Sequence, residues 1–309
     1  MIKETNKDNP SEEKDARRNS NRNGFIVLGV FGGVAALLIS VATVGAFARE
    51  IAGAKNTKTY LSWATTGPGF YDQNKQYLRK DDQSIQGSFS FEKRKDSSEA
   101  DYYSITEIET PENGVYLVLP SSISNTPIKE ISKAENQNIF AKTPYSDQIQ
   151  EIYFKSFFFR IGENAFRNME ALRKVSFASN GTVRQTLADY SLSDNPLLDE
   201  VLFASTLMTV GNGSFQNDVS LKLLDFNSTL LSTIGDNAFE NTSSLTSLFL
   251  PSTLNSIGSF FLKGSSLTSL QYAGTKKNFQ NVSLKEDSFE GSLLESIVCT
   301  DGILRVEEL

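Results

Sequence analysis

The sequence contains no histidine and only one cysteine among its 309 residues. Without an imidazole, a chain has no His-based catalytic triad, no imidazole proton relay and few ways to build a zinc site. The single Cys299 cannot form an intramolecular disulfide, and it occupies a position that holds Phe or Leu elsewhere in the chain. We therefore interpret Cys299 as a small buried hydrophobe.

Other signs of catalysis are also missing from the sequence. It contains no glycine-rich phosphate loop, no metal-ligand spacing and no nucleophile beside a base. The acidic pairs Glu12-Glu13, Asp81-Asp82 and Glu307-Glu308 lie in segments expected to be disordered or terminal, which indicates solvated surface charge. A net charge of -7 and scattered Lys and Arg argue against a nucleic-acid partner. We expect no enzyme activity, no cofactor and no metal.

The N-terminal part of the chain divides into a polar leader and one long apolar run. Residues 1–24 are rich in charged and amide side chains and predict a disordered cytoplasmic leader. Residues 25–47 contain no charged side chain, and as a helix they would extend roughly 34 Å, enough to cross a bilayer core. We predict one transmembrane signal anchor here. A cleaved signal peptide remains the alternative, since Ala46-Phe47-Ala48 has the small-x-small form of a cleavage site.

The flanking charges predict the orientation of this span. The basic residues nearest to it are Lys14, Arg17, Arg18 and Arg22 on the N-terminal side and Arg49, Lys55 and Lys58 on the C-terminal side. Because positive flanks stay inside, the N-terminus is expected in the cytoplasm and the rest of the chain outside the cell. The expected location is the cell membrane with a single pass, or the medium if the cleavage site is used.

Three further segments follow the predicted span. Residues 48–86 are polar and predict a linker or stalk, with Gly67-Pro68-Gly69 interrupting regular structure. Residues 87–130 hold short alternating runs and predict a β-rich N-terminal cap with the opening repeat. Residues 131–309 are predicted to form a repeat solenoid with a C-terminal cap.

The solenoid prediction rests on one recurring pattern. The stretch Ile234 to Leu250, IGDNAFENTSSLTSLFL, has copies that begin at Ile161 and Val210, a degraded copy at Leu187 and a shorter one at Ile257. The starting positions are separated by 23 to 26 residues, which is the range of leucine-rich repeats. Each copy ends in an apolar run with a strand-like alternation, so we predict an α/β-type solenoid with short parallel strands.

Specific residues of the pattern are expected to form the scaffold. The opening apolar residue and the Phe five positions later should point inward, with the Phe rings forming an internal spine. The Gly after the opening residue suits either a turn with positive φ or a close approach between coils. The predicted structural residues are Ile161, Gly162, Phe166, Gly211, Phe215, Ile234, Gly235, Phe239, Ile257 and Gly258.

The repeat resembles a known family. The phrase Ile-Gly-x-x-Ala-Phe, followed by Leu-x-x-Leu-x-Leu or Phe and by Leu-Pro-Ser-x-Leu-x-Ser-Ile-Gly at 250–258, is similar to the BspA-type leucine-rich repeats of bacterial and protist surface proteins. The resemblance extends from about Val115 to Gly302. It implies adhesion to host or neighbouring cells. The copy at Leu187 departs from the family pattern, with Ala188 and Leu192 where Gly and Phe are expected.

The best functional candidate is the solvent side of the strand ladder. If the middle apolar residue of each run points inward, its neighbours should face water, and an apolar column among them would be typical of an interface. The predicted binding residues on this concave face are Tyr153, Lys174, Glu200, Leu202, Asp225, Phe249 and Gln271. The expected partner is a protein or cell-surface macromolecule. The alternative is a structural, envelope-organising protein that self-associates and has no soluble ligand.

Overall fold

The computed structural model describes residues 69–71, 73, 78, 88–133, 137–140, 145–154, 158–177 and 183–309. The predicted leader, the predicted membrane span and most of the predicted linker lie outside these residues. Within the described part of the chain, no helix is long and apolar enough to cross a membrane.

The described residues form short strands almost throughout. In chain order these are β1 Gly69–Tyr71, β2 Ser88–Lys95, β3 Asp101–Glu109, β4 Tyr116–Leu119, β5 Ser122–Ile123, β6 Thr126–Ile131, β7 Glu151–Phe154, β8 Arg160–Ile161, β9 Lys174–Ser176, β10 Gln185–Leu187, β11 Glu200–Leu202, β12 Leu207–Val210, β13 Leu223–Asp225, β14 Thr233–Ile234, β15 Ser247–Leu250, β16 Ser256–Ile257, β17 Ser269–Tyr272, β18 Ser283–Leu284, β19 Ser296–Cys299 and β20 Gly302–Arg305. The helical elements among these residues are α1, Lys276–Gln280, and 3-10 turns at Ser146–Gln148 and Val306–Glu308.

The apolar runs form the predicted ladder of strands. It consists of two five-stranded sheets, β1-β4-β7-β9-β11 and β13-β15-β17-β19-β20. Neighbouring strands are parallel except at the two ends, where β1 pairs antiparallel with β4 and β20 pairs antiparallel with β19. The middle residue of each run is buried, as the sequence predicted: Ile152, Val175, Val201, Leu224, Leu248, Leu270 and Ile297.

The opposite wall corrects the predicted α/β class. Each opening apolar residue and the residue before it form a short strand, and these strands join into one ten-stranded sheet, β18-β16-β14-β12-β10-β8-β6-β3-β2, with β5 beside β6. The molecule is therefore a β-solenoid, and α1 has only five residues. The difference arises because the backbone N–H and C=O groups of the second wall are paired between successive coils, as between Ile234 and Ile257. These groups therefore need no helix to satisfy their hydrogen bonds.

Glycines at the start of each repeat allow the coils to approach closely. A Cβ atom on Gly235 would lie 2.5 Å from the backbone nitrogen of Asn212, and one on Gly258 would lie 2.5 Å from the backbone nitrogen of Asp236. Neither glycine has a positive φ. Of the two roles that the sequence left open, the structure shows the close approach.

One set of positive φ angles lies seven residues after the opening position. The six residues there have φ between 59° and 72°, and they are Asn168, Asp194, Asn217, Asn241, Gly264 and Gly291. Asn and Gly tolerate this conformation better than other residues do. Side-chain amides also connect these turns, since Asn217 Nδ2 donates to Asp194 Oδ1 at 2.6 Å and Asn241 Nδ2 donates to Asn217 Oδ1 at 2.8 Å.

Phenylalanines from both walls meet in the core. The rings of Phe215 and Phe239 have centroids 5.9 Å apart, and Phe239 lies 6.3 Å from Phe261. This is the predicted spine, although Leu192 interrupts it in the degraded copy, so Phe166 contacts Phe154 instead. Edge-to-face and stacked pairs of this kind stabilise the stack beyond the burial of their apolar area.

Candidate binding face

The strand register defines two rows of side chains on the outside of the ladder. We call these outward side chains the ladder face. In the sheet formed by the earlier repeats, one row contains Glu151, Lys174 and Glu200, and the other contains Tyr153, Ser176 and Leu202. In the later sheet, the rows are Leu223, Ser247, Ser269 and Ser296, and Asp225, Phe249, Gln271 and Val298.

The earlier half of the ladder face differs from the prediction. Lys174 was expected to face solvent, but only 4% of its surface is exposed. Its ammonium group lies 2.5 Å from the carboxylate of Glu200, and Glu151 is its register neighbour on the other side. A buried ammonium group paired with a carboxylate has its charge compensated within the protein. Lys174 is therefore held in a largely buried ion pair with Glu200.

Tyr153 is also buried, contrary to the prediction. It belongs to a second hydrophobic cluster that is separate from the main core, with Tyr71, Val115, Tyr116 and Val118. Its hydroxyl donates a hydrogen bond to the carboxylate of Glu151. The strand β1 contributes to this cluster because Tyr71 pairs directly with Tyr116 at the edge of the sheet. A strand was not expected in the segment predicted to be a linker.

The later half of the ladder face is more open. Leu223, Asp225 and Gln271 are half-buried, and Val298 is 39% exposed. Phe249 was predicted to be exposed but retains only 5% of its surface. Asp225 and Gln271 lie beside it in register on strands that run about 4.8 Å apart, so their side chains flank the ring.

The predicted binding residues thus fall into two groups. Lys174 and Tyr153 are enclosed by their neighbours, with Glu200 paired to Lys174 and Leu202 half-buried in the adjacent row. Asp225, Phe249 and Gln271 lie side by side in one row of the later sheet, which continues to Val298. The two sheets are separate between β11 and β13.

Two internal polar residues were missed by the sequence reasoning. Asn195 and Asp218 are equivalent residues of successive coils, each eight positions after the opening apolar residue, and both are fully buried. Asn195 Oδ1 accepts the backbone N–H of Met169 at 2.7 Å, and Asp218 Oδ1 accepts that of Asn195 at 2.8 Å. The sequence signal that could have identified them is a polar residue that recurs at one fixed repeat position among apolar residues.

Burial controls the acidity of the internal groups. Desolvation raises the pKa of the Asp218 carboxyl well above its usual value, and its Oδ2 is buried without a hydrogen-bond partner. Burial also raises the pKa of the Cys299 thiol to about 11, and Cys299 is buried as the sequence predicted. In the described residues, no group of three or more carboxylate or thiol side chains is placed to hold a metal ion.

The stacked coils, the parallel ladder and the repeat spacing define a leucine-rich-repeat solenoid. A family model described as the BspA type leucine-rich repeat region matches residues 100–188 and 185–308 with six copies. This match covers more than half of the chain. The protein belongs to the BspA-type leucine-rich-repeat family, as its sequence pattern indicated.

The chain is similar to solved leucine-rich-repeat structures, and the one from Faecalibacterium prausnitzii shares its fold. A leucine-rich cell surface protein from Faecalibacterium prausnitzii is 14% identical, with a TM-score of 0.52, over 71% of this chain and 56% of its own. The leucine-rich-repeat protein of T. pallidum is 20% identical, with a TM-score of 0.38, over 63% of this chain and 78% of its own. No curated protein matches the chain.

Proposed function

We propose that this protein is anchored in the cell membrane by residues 25–47 and binds a protein at the cell surface through the later half of its ladder face. The observation that carries the proposal is the contrast between the two halves. In the earlier half, Lys174 is paired with Glu200 and Tyr153 with Glu151. Outward groups of the later half leave accessible surface at Gln271 and Val298.

The chemistry of the later half suits a protein surface. Three half-buried hydroxyls form part of one row, at Ser247, Ser269 and Ser296, and the parallel row presents the amide of Gln271 and the apolar Val298. A mixture of apolar contact and hydrogen-bonding groups is typical of interfaces between proteins that associate reversibly. The rows run across successive strands, so a partner would contact equivalent positions of successive coils.

Introducing negative charge into this face is expected to reduce binding. Beads coated with the double variant Gln271→Glu and Val298→Glu should attach to cells at least tenfold less than beads coated with wild-type protein. The reason is that two carboxylates would lose water at the interface without a compensating partner. The measurement is the number of beads retained by epithelial monolayers and by cells of the producing strain.

The matched control carries the same charge change on the other wall. Thr209 and Thr233 are half-buried register neighbours on β12 and β14, and both would be replaced with Glu. This control should bind as wild type does. Equal attachment by all three proteins, or equal loss in both variants, would remove the ladder face from the proposal.

The membrane anchor has its own test. Trypsin added to intact cells that express the full chain is expected to release peptides from residues 100–308 and none from residues 1–24. The reason is that the predicted orientation places the repeats outside and the leader inside. Mass spectrometry of the released peptides measures this. Repeat peptides found only after lysis would contradict the orientation, and intact repeats in the medium would indicate cleavage after the apolar segment.

A further inference from the structure

The last strand of the ladder has an edge that no described strand covers. Strand β20 pairs with β19 in an antiparallel register, with Val298 opposite Ile303 and Ser296 opposite Arg305. Its other edge ends the sheet. Ile303 is 61% exposed and lies next to Val298, which is 39% exposed. The most exposed apolar side chain of the ladder face is therefore on the edge strand itself.

The hydrogen-bonding pattern leaves Ile303 available for a new strand. The backbone N–H of Val306 donates to the carbonyl of Glu295 at 3.1 Å, which fixes the alternation of bonded pairs along the hairpin. In an antiparallel pair, every second residue directs its N–H and C=O away from its partner. The residues of β20 that do so are Ile303 and Arg305. The N–H of Arg305 is occupied by Glu308 Oε2 at 3.2 Å, whereas that of Ile303 points to the open edge.

We infer that β20 is a self-association edge, at which two copies of this chain pair antiparallel about a two-fold axis through Ile303. In this arrangement the two Ile303 residues exchange a pair of N–H to C=O hydrogen bonds. Their side chains lie side by side on the same face, and they join Val298 of each copy into one apolar strip. The ladders of the two copies become one continuous sheet.

The charges beside Ile303 favour this register. A two-fold axis at Ile303 places each residue two positions after it opposite the residue two positions before it in the other copy. This places Arg305 of one copy near Asp301 of the other, and the pair occurs twice. Asp301 lies in the turn just before β20, and its Oδ1 also accepts the backbone N–H of Lys276 at 2.8 Å. The side chains of Arg305 and Asp301 are both exposed in the single chain. Opposite charges set directly across an antiparallel pair stabilise it, whereas like charges oppose it.

An exposed edge strand with an apolar side chain, such as β20 with Ile303, favours pairing with another strand. Proteins protect exposed edge strands with charge, bulges or short length, since unpaired backbone groups and apolar side chains attract another strand. Here the strand is short and Arg305 is charged, but the charge is matched by Asp301 of a second copy in the same pairing. The self-complementary sequence thus selects a closed dimer over open-ended aggregation. This inference does not depend on what the later half of the ladder face binds.

Disulfide trapping of the full chain tests the pairing. Directly opposed residues of a bonded antiparallel pair have Cα atoms about 5.5 Å apart, which a disulfide can span. The native Cys299 is buried, and its thiol has a raised pKa, so it should stay unreactive. Purified Ile303→Cys protein, oxidised mildly at micromolar concentration, is expected to form a disulfide-linked dimer at least tenfold faster than Leu293→Cys. Leu293 is equally exposed, at 61%, but lies off the edge.

Two further variants separate the pairing from random collision. Arg305→Asp added to Ile303→Cys should slow cross-linking at least tenfold, because Asp would then face Asp301, while Arg305→Lys should retain the fast rate. Sedimentation of the wild-type chain in mild detergent should give a dimer, and Ile303→Asp a monomer. A monomeric wild type overturns the inference, and so does equal cross-linking of Ile303→Cys and Leu293→Cys. An unchanged rate in Arg305→Asp overturns the register.

Discussion

Replacing Asp218 with Asn is expected to stabilise the protein at pH 8 by about 1–3 kcal/mol, the cost of leaving one buried polar atom without a partner. Asp218 Oδ1 accepts the N–H of Asn195, but Oδ2 is buried and unpaired. An amide would keep the accepting oxygen and supply two donors. In the preceding coil, Asn195 Nδ2 donates to the carbonyls of Phe166 and Leu192.

The pH dependence should change with the same substitution. Desolvation raises the folded-state pKa of Asp218 above its ordinary value of 3.8, so the folded state holds a proton that the unfolded state releases. Stability is therefore highest below the unfolded pKa and falls as pH rises from about 4 to the folded pKa. Urea unfolding from pH 4 to pH 8 measures this dependence. In Asp218→Asn, the free energy of unfolding should no longer show the decrease that Asp218 causes.

The equivalent residue of the neighbouring coil provides the control. Asn195→Asp is the reverse change at the same repeat position and removes two donated hydrogen bonds. It should lower the free energy of unfolding and make stability fall more steeply with pH. If Asp218→Asn were no more stable than wild type at pH 8, the unpaired Oδ2 would not carry the cost assigned to it.

Substituting Gly235 with Ala is expected to destabilise the protein by about 3 kcal/mol, at the upper end for an overpacked site. The new Cβ would lie 2.5 Å from the backbone nitrogen of Asn212 and 2.6 Å from the carbonyl carbon of Gly211. Both contacts are with backbone that is held by hydrogen bonds, such as the one from the Gly235 N–H to the Val210 carbonyl at 2.8 Å. The coils would have to separate, which a urea denaturation curve should show as a lower midpoint.

The degraded copy offers a matched comparison for this steric effect. Ala188 occupies the same repeat position and already carries a methyl group. Ala188→Gly should cost at most about 1 kcal/mol, because Ala188 lies just after strand β10 and the change mainly adds backbone freedom. A Gly235→Ala variant that lost no more stability than Ala188→Gly would show that the later coils can separate at little cost.

The repeat pattern predicted the buried scaffold because it is periodic. The residue types at Ile234, Phe239 and Leu248 recur at fixed offsets in successive coils. They are buried because the inward side of each coil is the side that the stack shields from water. The parallel ladder followed from this periodicity, and the family was indicated by the resemblance of the motif. The pattern did not predict the second parallel wall, since strands such as Thr233–Ile234 have two residues and exist only through hydrogen bonds to adjacent coils.

The choice between exposed and enclosed outward residues was decided by the tertiary structure. Lys174 and Gln271 occupy outward positions of the same kind in the sequence pattern, yet Lys174 is buried and paired with Glu200 while Gln271 is half-exposed. The accessibility of each depends on side chains that stand beside it in register and lie more than twenty residues away in sequence. The sequence by itself determined which side chains point inward, because burial follows the repeat. Only the stacking of the coils decided which outward side chains remain accessible, because that depends on pairs of neighbours that no single repeat contains.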